Sequence, residues 1–261
     1  MGSQAIQGKL WGQQSQYWTD IQEPTAKSGY DFVLNALTIR PSTKLLDVGC
    51  GTGLFSKMAA DKGATVTTID ATPEFIEMTK KRVPSANCMV GEMEELPFED
   101  KSFDIVCGFN SFQYAASIRN ALAEAKRVLA DDGKLVTMIW GNKKDCEAAS
   151  YLQAVGSLLP PPPPGAPGPF ALSENNLLEN ILTEIGFTKI NVSDVESIWD
   201  YPDAETALQG LLSAGPAAKA IENSGYEKAY ETVATAMQPY TQPNGHVVYH
   251  NKWRVVISEN S

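Results

Sequence analysis

The chain of 261 residues is long enough for one large α/β domain with a substantial core and some added segments. Its formal net charge of −10 argues against a nucleic acid or an anionic membrane as partner, because such partners are bound by clustered lysine and arginine. The four cysteines include no C-x-x-C pair and no apolar run approaches a membrane span of about 20 residues, so we expect a cytoplasmic protein with reduced thiols and no metal site.

The first 30 residues are polar but contain several aromatic side chains. Trp11 and Trp18 are seven residues apart, as on one face of a helix. One interpretation is that an N-terminal helix packs against the core. The other is that this segment is a lid over a bound ligand, and the two are compatible because a rigid lid must also be packed.

The stretch Leu45–Gly53, with the sequence LLDVGCGTG, predicts a buried strand, a glycine turn and the start of a helix. Glycine at 49, 51 and 53 permits positive φ and removes the β-carbons that would keep a ligand away from the backbone. A dinucleotide-binding loop would read G-x-G-x-x-G, but here the third glycine comes one residue early and Leu54 takes its place. The spacing therefore departs from that of NAD-binding proteins.

A second strand is predicted at residues 64–69 and ends at Asp70. The succession of strand, helix and strand implies parallel pairing with a right-handed crossover. Asp70 follows Gly49 by 21 residues, a distance at which an acid can accept both ribose hydroxyl protons. The alternative is that Asp70 caps the next helix, although Thr72 and Pro73 already supply a cap and a first helical position.

Alternating strands and helices are predicted for most of the remaining chain. The further strands are expected at 87–90, 103–109, 134–140, 187–195 and 246–257, and helices at 117–130, 148–159, from Ser173 to Gly186, and in pieces over 203–238. Pro160–Pro164 is predicted to be a rigid connector, with an SH3-type ligand as the alternative.

Two sequence blocks resemble those of a known family. The stretch 45–53 resembles motif I of the class I S-adenosylmethionine (SAM) methyltransferases, close to LDxGCGTG, and residues 91–98 (GEMEELPF) resemble their GDAExLPF block. The likeness is to the small-molecule, type 11 branch. It implies an α/β fold with a seven-stranded Rossmann-like sheet, mostly parallel with an antiparallel last strand, helices on both faces and helical lid insertions.

The resemblance also implies the site residues. Asp70 would bind the ribose, Glu92 the adenine amino group, and Met93 the ring through its backbone; the alternative is that 92–95 is an acidic surface turn. The expected cofactor-binding residues are Asp47, Gly49, Cys50, Gly51, Gly53, Asp70, Ala71, Glu92, Met93, Phe109 and Asn110. The expected acceptor-binding residues are Trp18, Gln113 and Tyr114. The N-P-P-Y tetrapeptide of amino-group methyltransferases is absent, which argues against methylation of a base or a glutamine amide.

His246 and His250 are the only histidines. On a strand they would share a face but lie about 13 Å apart, which is too far for one metal ion. Each is interpreted either as an ordinary packed or surface residue or as the base for a hydroxyl acceptor. Tyr17 is a weaker candidate for orienting the acceptor.

Four segments are predicted: an N-terminal helical lid (1–30), a SAM-binding core (31–141), a proline-rich connector and lid (142–172), and the C-terminal part of the core (173–261) with a helical insertion at 198–244. The expected function is in-line transfer of a methyl group from SAM to a small-molecule acceptor, leaving S-adenosylhomocysteine, by a monomer or homodimer. The alternatives are a SAM-binding sensor or partner protein without catalysis and, third, a dehydrogenase with an irregular glycine loop.

Overall fold

Seven strands form one sheet in the computed structural model, which describes residues 2–161 and 168–260. In chain order they are β1 (Lys44–Val48), β2 (Thr65–Asp70), β3 (Asn87–Val90), β4 (Phe103–Phe109), β5 (Leu129–Trp140), β6 (Phe187–Tyr201) and β7 (Val247–Asn260). The order across the sheet is β3-β2-β1-β4-β5-β7-β6. Strands β1 to β5 pair in parallel, and β7 runs antiparallel to both β5 and β6. The predicted α/β fold with an antiparallel last strand is confirmed.

The described helices lie between and beyond these strands. They are α1 (Gln4–Gly12), α2 (Ser15–Tyr17), α3 (Lys27–Ala36), α4 (Leu54–Asp61), α5 (Pro73–Arg82), α6 (Ile118–Val128), α7 (Ala149–Ser157), α8 (Leu177–Ile185), α9 (Ala204–Leu212), α10 (Gly215–Ser224) and α11 (Tyr226–Met237). A π-helical turn occupies Trp18–Gln22, and 3₁₀ turns occupy Glu23–Ala26, Phe112–Tyr114, Lys143–Asp145, Ala171–Asn176 and Gln238–Tyr240. No helix in the described ranges is long and apolar enough to cross a membrane.

Two hydrophobic clusters pack on the sheet. Leu45 and Leu46 are neighbours on β1 and both are fully buried, yet they belong to different clusters, because successive side chains of a strand point to opposite faces. One cluster includes residues of α3, α4, α7, α9, α10 and α11, and the other includes residues of α6 and α8. The carboxyl ends of the parallel strands lie at one edge of the sheet. Strand β1 lies between β2 and β4, so the strand order changes direction at β1, which is where ligands of such sheets usually bind.

The N-terminal segment differs in detail from the expected single helix. Trp11 lies in α1, but α1 ends at Gly12, and Trp18 begins the π-helical turn after a break. The two rings still meet in a T-shaped contact with centroids 4.7 Å apart. The seven-residue spacing therefore correctly indicated that the two rings are in contact, but it wrongly indicated that they lie on one face of a single helix.

The C-terminal half requires two corrections. Strand β6 continues to Tyr201, so the helical insertion does not begin at 198: Ser197, Trp199 and Tyr201 alternate as buried residues and pair with β7. The α-helix predicted from Ser173 starts later, because Ser173 lies in a 3₁₀ turn and its hydroxyl donates to the carbonyl of Trp140. Its helix, α8, begins only at Leu177.

Other boundaries agree more closely with the predictions. The helical region predicted in pieces over 203–238 is interrupted at Ser213-Ala214, before α10, and at Gly225, before α11. Strand β5 begins five residues earlier than expected, because Leu129 pairs with Phe103. Most of the proline run, with the rest of 162–167, lies outside the described residues, and its interpretation as a connector stays a prediction.

The sheet core gives a stability prediction. Leu135 is fully buried on β5, between β4 and β7. Leu135→Ala should lower the free energy of unfolding by about 2–5 kcal/mol, because it removes buried apolar contacts and leaves a cavity. Val192→Ala is the control: Val192 is 44% exposed on β6, so a change below about 0.5 kcal/mol is expected. Urea unfolding measures both, and similar losses in the two variants would contradict the assigned core.

Candidate active site

The glycine turn after β1 has a left-handed backbone at all three glycines. The φ angles are +70°, +55° and +82° at Gly49, Gly51 and Gly53. A β-carbon on Gly49 would lie 2.4 Å from Cβ of Ser111, and one on Gly53 would lie 2.7 Å from Cγ2 of Thr79. The turn therefore requires glycine both for its conformation and for its close packing.

Asp70 fixes the shape of this turn from the end of β2. Its Oδ2 accepts from the Gly51 N–H at 2.9 Å, and its Oδ1 accepts from the Thr72 N–H at 2.8 Å. Burial raises the pKa of the Asp70 carboxyl to about 6, although the two backbone N–H groups act in the opposite direction. The side chain also lines a cavity, so it holds the turn and faces a ligand space at once.

Asp47 lies behind the turn. It is 1% exposed, and its Oδ2 accepts from the Ser56 hydroxyl at 2.6 Å, which ties β1 to α4. Burial raises the pKa of this carboxyl to about 7, and the nearby Asp70 and Glu23 carboxylates act in the same direction. Among the described residues that line the cavities, Asp47 does not appear.

A first cavity of about 660 Å³ opens at the carboxyl ends of β1, β2 and β4. Eight of the eleven residues expected to bind the cofactor line it: Gly49, Gly51, Asp70, Ala71, Glu92, Met93, Phe109 and Asn110. The remaining expected residues, Asp47, Cys50 and Gly53, support the turn from behind, and the Cys50 thiol lies 3.8 Å from the hydroxyl oxygen of Thr79. Further wall residues are Ser3, Gln7, Trp11, Trp18, Ile69, Thr72, Phe75, Gly91, Ser111 and Tyr114.

Glu92 joins this cavity to the N-terminal segment. Its Oε2 accepts from the Gln4 N–H at 2.8 Å, and its Oε1 accepts from the Glu94 N–H at 3.1 Å. The carboxylate therefore anchors the start of α1 above the cavity. It is half-buried in a cavity wall, whereas its neighbour Glu95 is exposed.

Glu23 is a site residue that the sequence analysis missed. It is 3% exposed, and its carboxylate accepts from the Thr52 N–H at 2.9 Å and from the Thr52 hydroxyl at 2.6 Å. The Arg82 guanidinium at the end of α5 pairs with the same carboxylate. Because its partners lie 29 and 59 residues away in the chain, no local spacing in the sequence could have indicated them.

A second cavity of about 610 Å³ adjoins the first and has mainly aromatic walls. The two share Trp11, Trp18, Phe109, Asn110 and Tyr114. The other walls of the second cavity are Gln22, Glu23, Thr25, Ala26, Tyr30, Met138, Trp140, Tyr151, Leu152, Trp199, Ala214, Pro216 and Trp253. Two of the three expected acceptor-binding residues, Trp18 and Tyr114, thus lie between two neighbouring spaces.

The third expected acceptor residue, Gln113, lies in a different position. It lines a third cavity of about 1120 Å³, which shares Tyr114, Trp140, Leu152 and Pro216 with the second. Its side-chain amide donates to Oδ1 of Asn110 at 2.6 Å. Gln113 therefore orients a residue of the wall that the first two cavities share.

The three candidate catalytic residues are not brought to these cavities. His246 lies at the start of β7, where its Nδ1 is 2.7 Å from Oδ1 of Asp200. His250 is exposed on β7, and its backbone N–H donates to Glu147. Tyr17 is 42% exposed in α2. None of the three is among the described residues that line the three cavities.

Comparisons with known proteins agree with this geometry. A family model described as a methyltransferase domain matches residues 46–137. The chain is 29% identical over 178 residues to the malonyl-[acyl-carrier protein] O-methyltransferase of Geobacter sulfurreducens, and 36% identical over 104 residues to the demethylmenaquinone methyltransferase of Renibacterium salmoninarum. The chain therefore contains a methyltransferase domain over residues 46–137. The resemblance seen in the two sequence blocks is thereby confirmed.

The two matched relatives are only partly covered by this chain. The alignments cover 66% of this chain and 66% of the first relative, and 40% of this chain and 44% of the second. The chain thus spans less than two thirds of either relative. The YcgJ protein of Bacillus subtilis superposes with a TM-score of 0.61 over 88% of this chain and 97% of its own, and its 16% identity shows the fold alone.

The buried acid behind the glycine turn predicts a pH effect on the stability of the protein. The Asp47 pKa is about 7 in the folded protein and about 4 when unfolded. Between these two pH values, Asp47 keeps its proton in the folded state and has lost it in the unfolded state. Binding of this proton stabilises the folded state, and the contribution is lost as the pH rises towards 7. Asp47→Asn does not titrate, so its stability relative to the wild type should rise with pH by up to about 1.4 kcal/mol per unit.

Urea unfolding at about pH 5, 6 and 7 measures this difference. Asp61→Asn is the control, because the Asp61 side chain is 60% exposed on α4 and should give a nearly constant difference. Wild-type and Asp47→Asn curves that stay parallel across this range would contradict the raised pKa.

Proposed function

We propose that the chain binds SAM in the first cavity and transfers its methyl group to a small molecule held in the second. The observation that carries this proposal is the shared wall of the two cavities at the carboxyl ends of β1 and β4. Ligands of open α/β sheets bind in the crevice outside this edge. Two adjoining spaces can hold a donor and an acceptor side by side.

The residues of the first cavity fit the proposed cofactor. Gly51 lines the cavity, and a β-carbon there would approach Oε1 of Glu23 to 3.2 Å, so glycine keeps the backbone accessible. The Asp70 carboxylate makes two hydrogen bonds to backbone N–H groups, and a carboxylate has about four acceptor positions. Its unused positions are available to the two ribose hydroxyls.

The charges around both cavities favour a positively charged cofactor over a dinucleotide. The charged residues in the described walls are Asp70 and Glu92 in the first cavity and Glu23 in the second, and all three are acidic. A pyrophosphate would be placed near carboxylates with no lysine or arginine in these described walls. Bound SAM supplies a methyl group on a positively charged sulfur.

The chain's contribution to the reaction is position and exclusion of water. Trp11, Trp18 and Tyr114 form part of the common wall, and Trp11 contacts both other rings, with centroids 4.7 and 5.4 Å away. Holding two reactants in a productive orientation can contribute ~7–11 kcal/mol to lowering a barrier. We assign no proton transfer to His246, His250 or Tyr17, since none of them lines the described cavities.

Replacement of Asp70 tests the cofactor site. Asp70→Ala should weaken SAM binding by at least about tenfold, because it removes the proposed ribose acceptor and the partner of the Gly51 N–H. Asp61→Ala removes an exposed carboxylate of α4 and should leave the affinity unchanged. Titration calorimetry with SAM and with NAD measures both effects. Equal SAM affinity in all three proteins, or tighter binding of NAD, would overturn the proposal.

Transfer is tested separately from binding. The protein is incubated with SAM that carries a tritiated methyl group and with a metabolite extract, and label in small molecules is measured. We expect labelled product with the wild type and much less with Asp70→Ala. Tight SAM binding with no transferred label would instead support a sensor without catalysis.

A further inference from the structure

The walls of the second cavity suit an uncharged ligand. Half of its eighteen described wall residues are aromatic, and Glu23 is the one charged residue among them. The Glu23 carboxylate is already used by Thr52 and Arg82. An anion in this space would find no cationic wall residue within the described ranges, and a cation would meet a carboxylate whose charge is already compensated. Burial of an unpaired charge is strongly unfavourable.

Several hydrogen-bond donors of this wall have no partner among the described residues, and the indole N–H of Trp18 is one of them. Trp199 and Trp253 are 2% and 3% exposed, and neither indole N–H has a hydrogen-bond partner in the described part of the chain. The Tyr30 hydroxyl likewise makes no hydrogen bond to any described residue. By contrast, the hydroxyl of Tyr151, in the same wall, donates to the carbonyl of Leu211 at 2.7 Å. Buried donors without partners favour a ligand that brings an acceptor oxygen.

Tyr30 lies close to the boundary between the two cavities. Its ring centroid is 4.8 Å from that of Phe109, which belongs to both walls, and 5.6 Å from that of Phe55. Burial, with smaller effects from the Glu23 and Asp47 carboxylates, raises the pKa of Tyr30 well above its usual value. The hydroxyl therefore keeps its proton at neutral pH and can donate it to a hydrogen bond.

From these contacts we propose, on the basis of the function proposed above, that the second cavity takes a flat, uncharged ring compound with an oxygen atom. The aromatic walls pack against the rings, and the oxygen accepts a hydrogen bond from the Tyr30 hydroxyl, with Trp18, Trp199 and Trp253 as further unpartnered donors in the wall. Aromatic rings gain from stacked and edge-to-face contacts with such walls. The oxygen serves here for recognition, whichever atom of the acceptor receives the methyl group.

Four probes of similar shape and different polarity test the ligand class. The protein is first saturated with S-adenosylhomocysteine and then titrated with 4-phenylphenol, biphenyl, biphenyl-4-carboxylate and (biphenyl-4-yl)methylammonium near neutral pH. We expect 4-phenylphenol to bind about 3- to 10-fold more tightly than biphenyl. We also expect it to bind at least about tenfold more tightly than either of the two ions. Tighter binding of either ion, or no advantage of the phenol over biphenyl, would overturn the inference.

Two tyrosine variants test the donor. Tyr30→Phe should abolish most of the preference for 4-phenylphenol over biphenyl while leaving biphenyl binding nearly unchanged, because only a hydroxyl is removed. Tyr151→Phe is the matched control: its hydroxyl is already used, so the preference should persist. Trp253→Phe is the second donor variant, and it too should reduce the preference. If Tyr30→Phe and Trp253→Phe both retain the full wild-type preference, the proposed recognition is wrong.

The first titration separates this inference from the function on which it rests. If S-adenosylhomocysteine does not bind the wild-type protein, the proposed methyltransferase site itself fails. If it binds and the probes show no preference for the phenol, only the ligand class is wrong. Binding of S-adenosylhomocysteine with wild-type affinity by Tyr30→Phe also shows that this variant is folded.

Discussion

The buried Glu23 carboxylate is the contact on which the rest of the site depends. It joins the N-terminal segment to Thr52 in the glycine turn and to Arg82 at the end of α5. Loss of one partner of such a buried pair would leave an uncompensated charge, at a cost of about 3–5 kcal/mol. The N-terminal segment, which provides walls to both cavities, is therefore fixed to the glycine turn.

Three buried acids surround the glycine turn. Asp47 holds the start of α4, Asp70 holds the turn itself, and Glu23 covers it. Their mutual repulsion contributes to the raised pKa of Asp47, and both Asp47 and Asp70 are chiefly affected by burial. Arg82 balances part of this charge through its pairing with Glu23. Of these three acids, Asp70 lines the first cavity, so its negative charge is the one that a ligand there would meet.

The sequence predicted the parts of the site that depend on local structure. The strand and glycine turn at 45–53 must fold together, and Asp70 follows at a spacing that the strand-helix-strand unit fixes. Glu23 and Tyr30 could not be found in this way, because their partners are brought to them only by the packing of distant elements. The histidines show a different case, in which the strand was predicted but the orientation of the side chain was not. A strand was correctly predicted around His250, but pairing with β6 turns Tyr249 and Asn251 inwards and leaves His250 exposed.

The two cavities draw on different parts of the chain. The glycine turn, Asp70 and Glu92 all lie within residues 46–137, which the methyltransferase family model matches. Trp140, Tyr151, Trp199 and Trp253 of the second cavity lie beyond it. Similarity to known methyltransferases therefore concerns mainly the first cavity, where the cofactor is proposed to bind. It says little about the residues that would bind the acceptor. On the function proposed above, selection of the acceptor falls to these outer segments, because their aromatic rings and the lack of a cationic residue in the described walls make a buried charge unfavourable there.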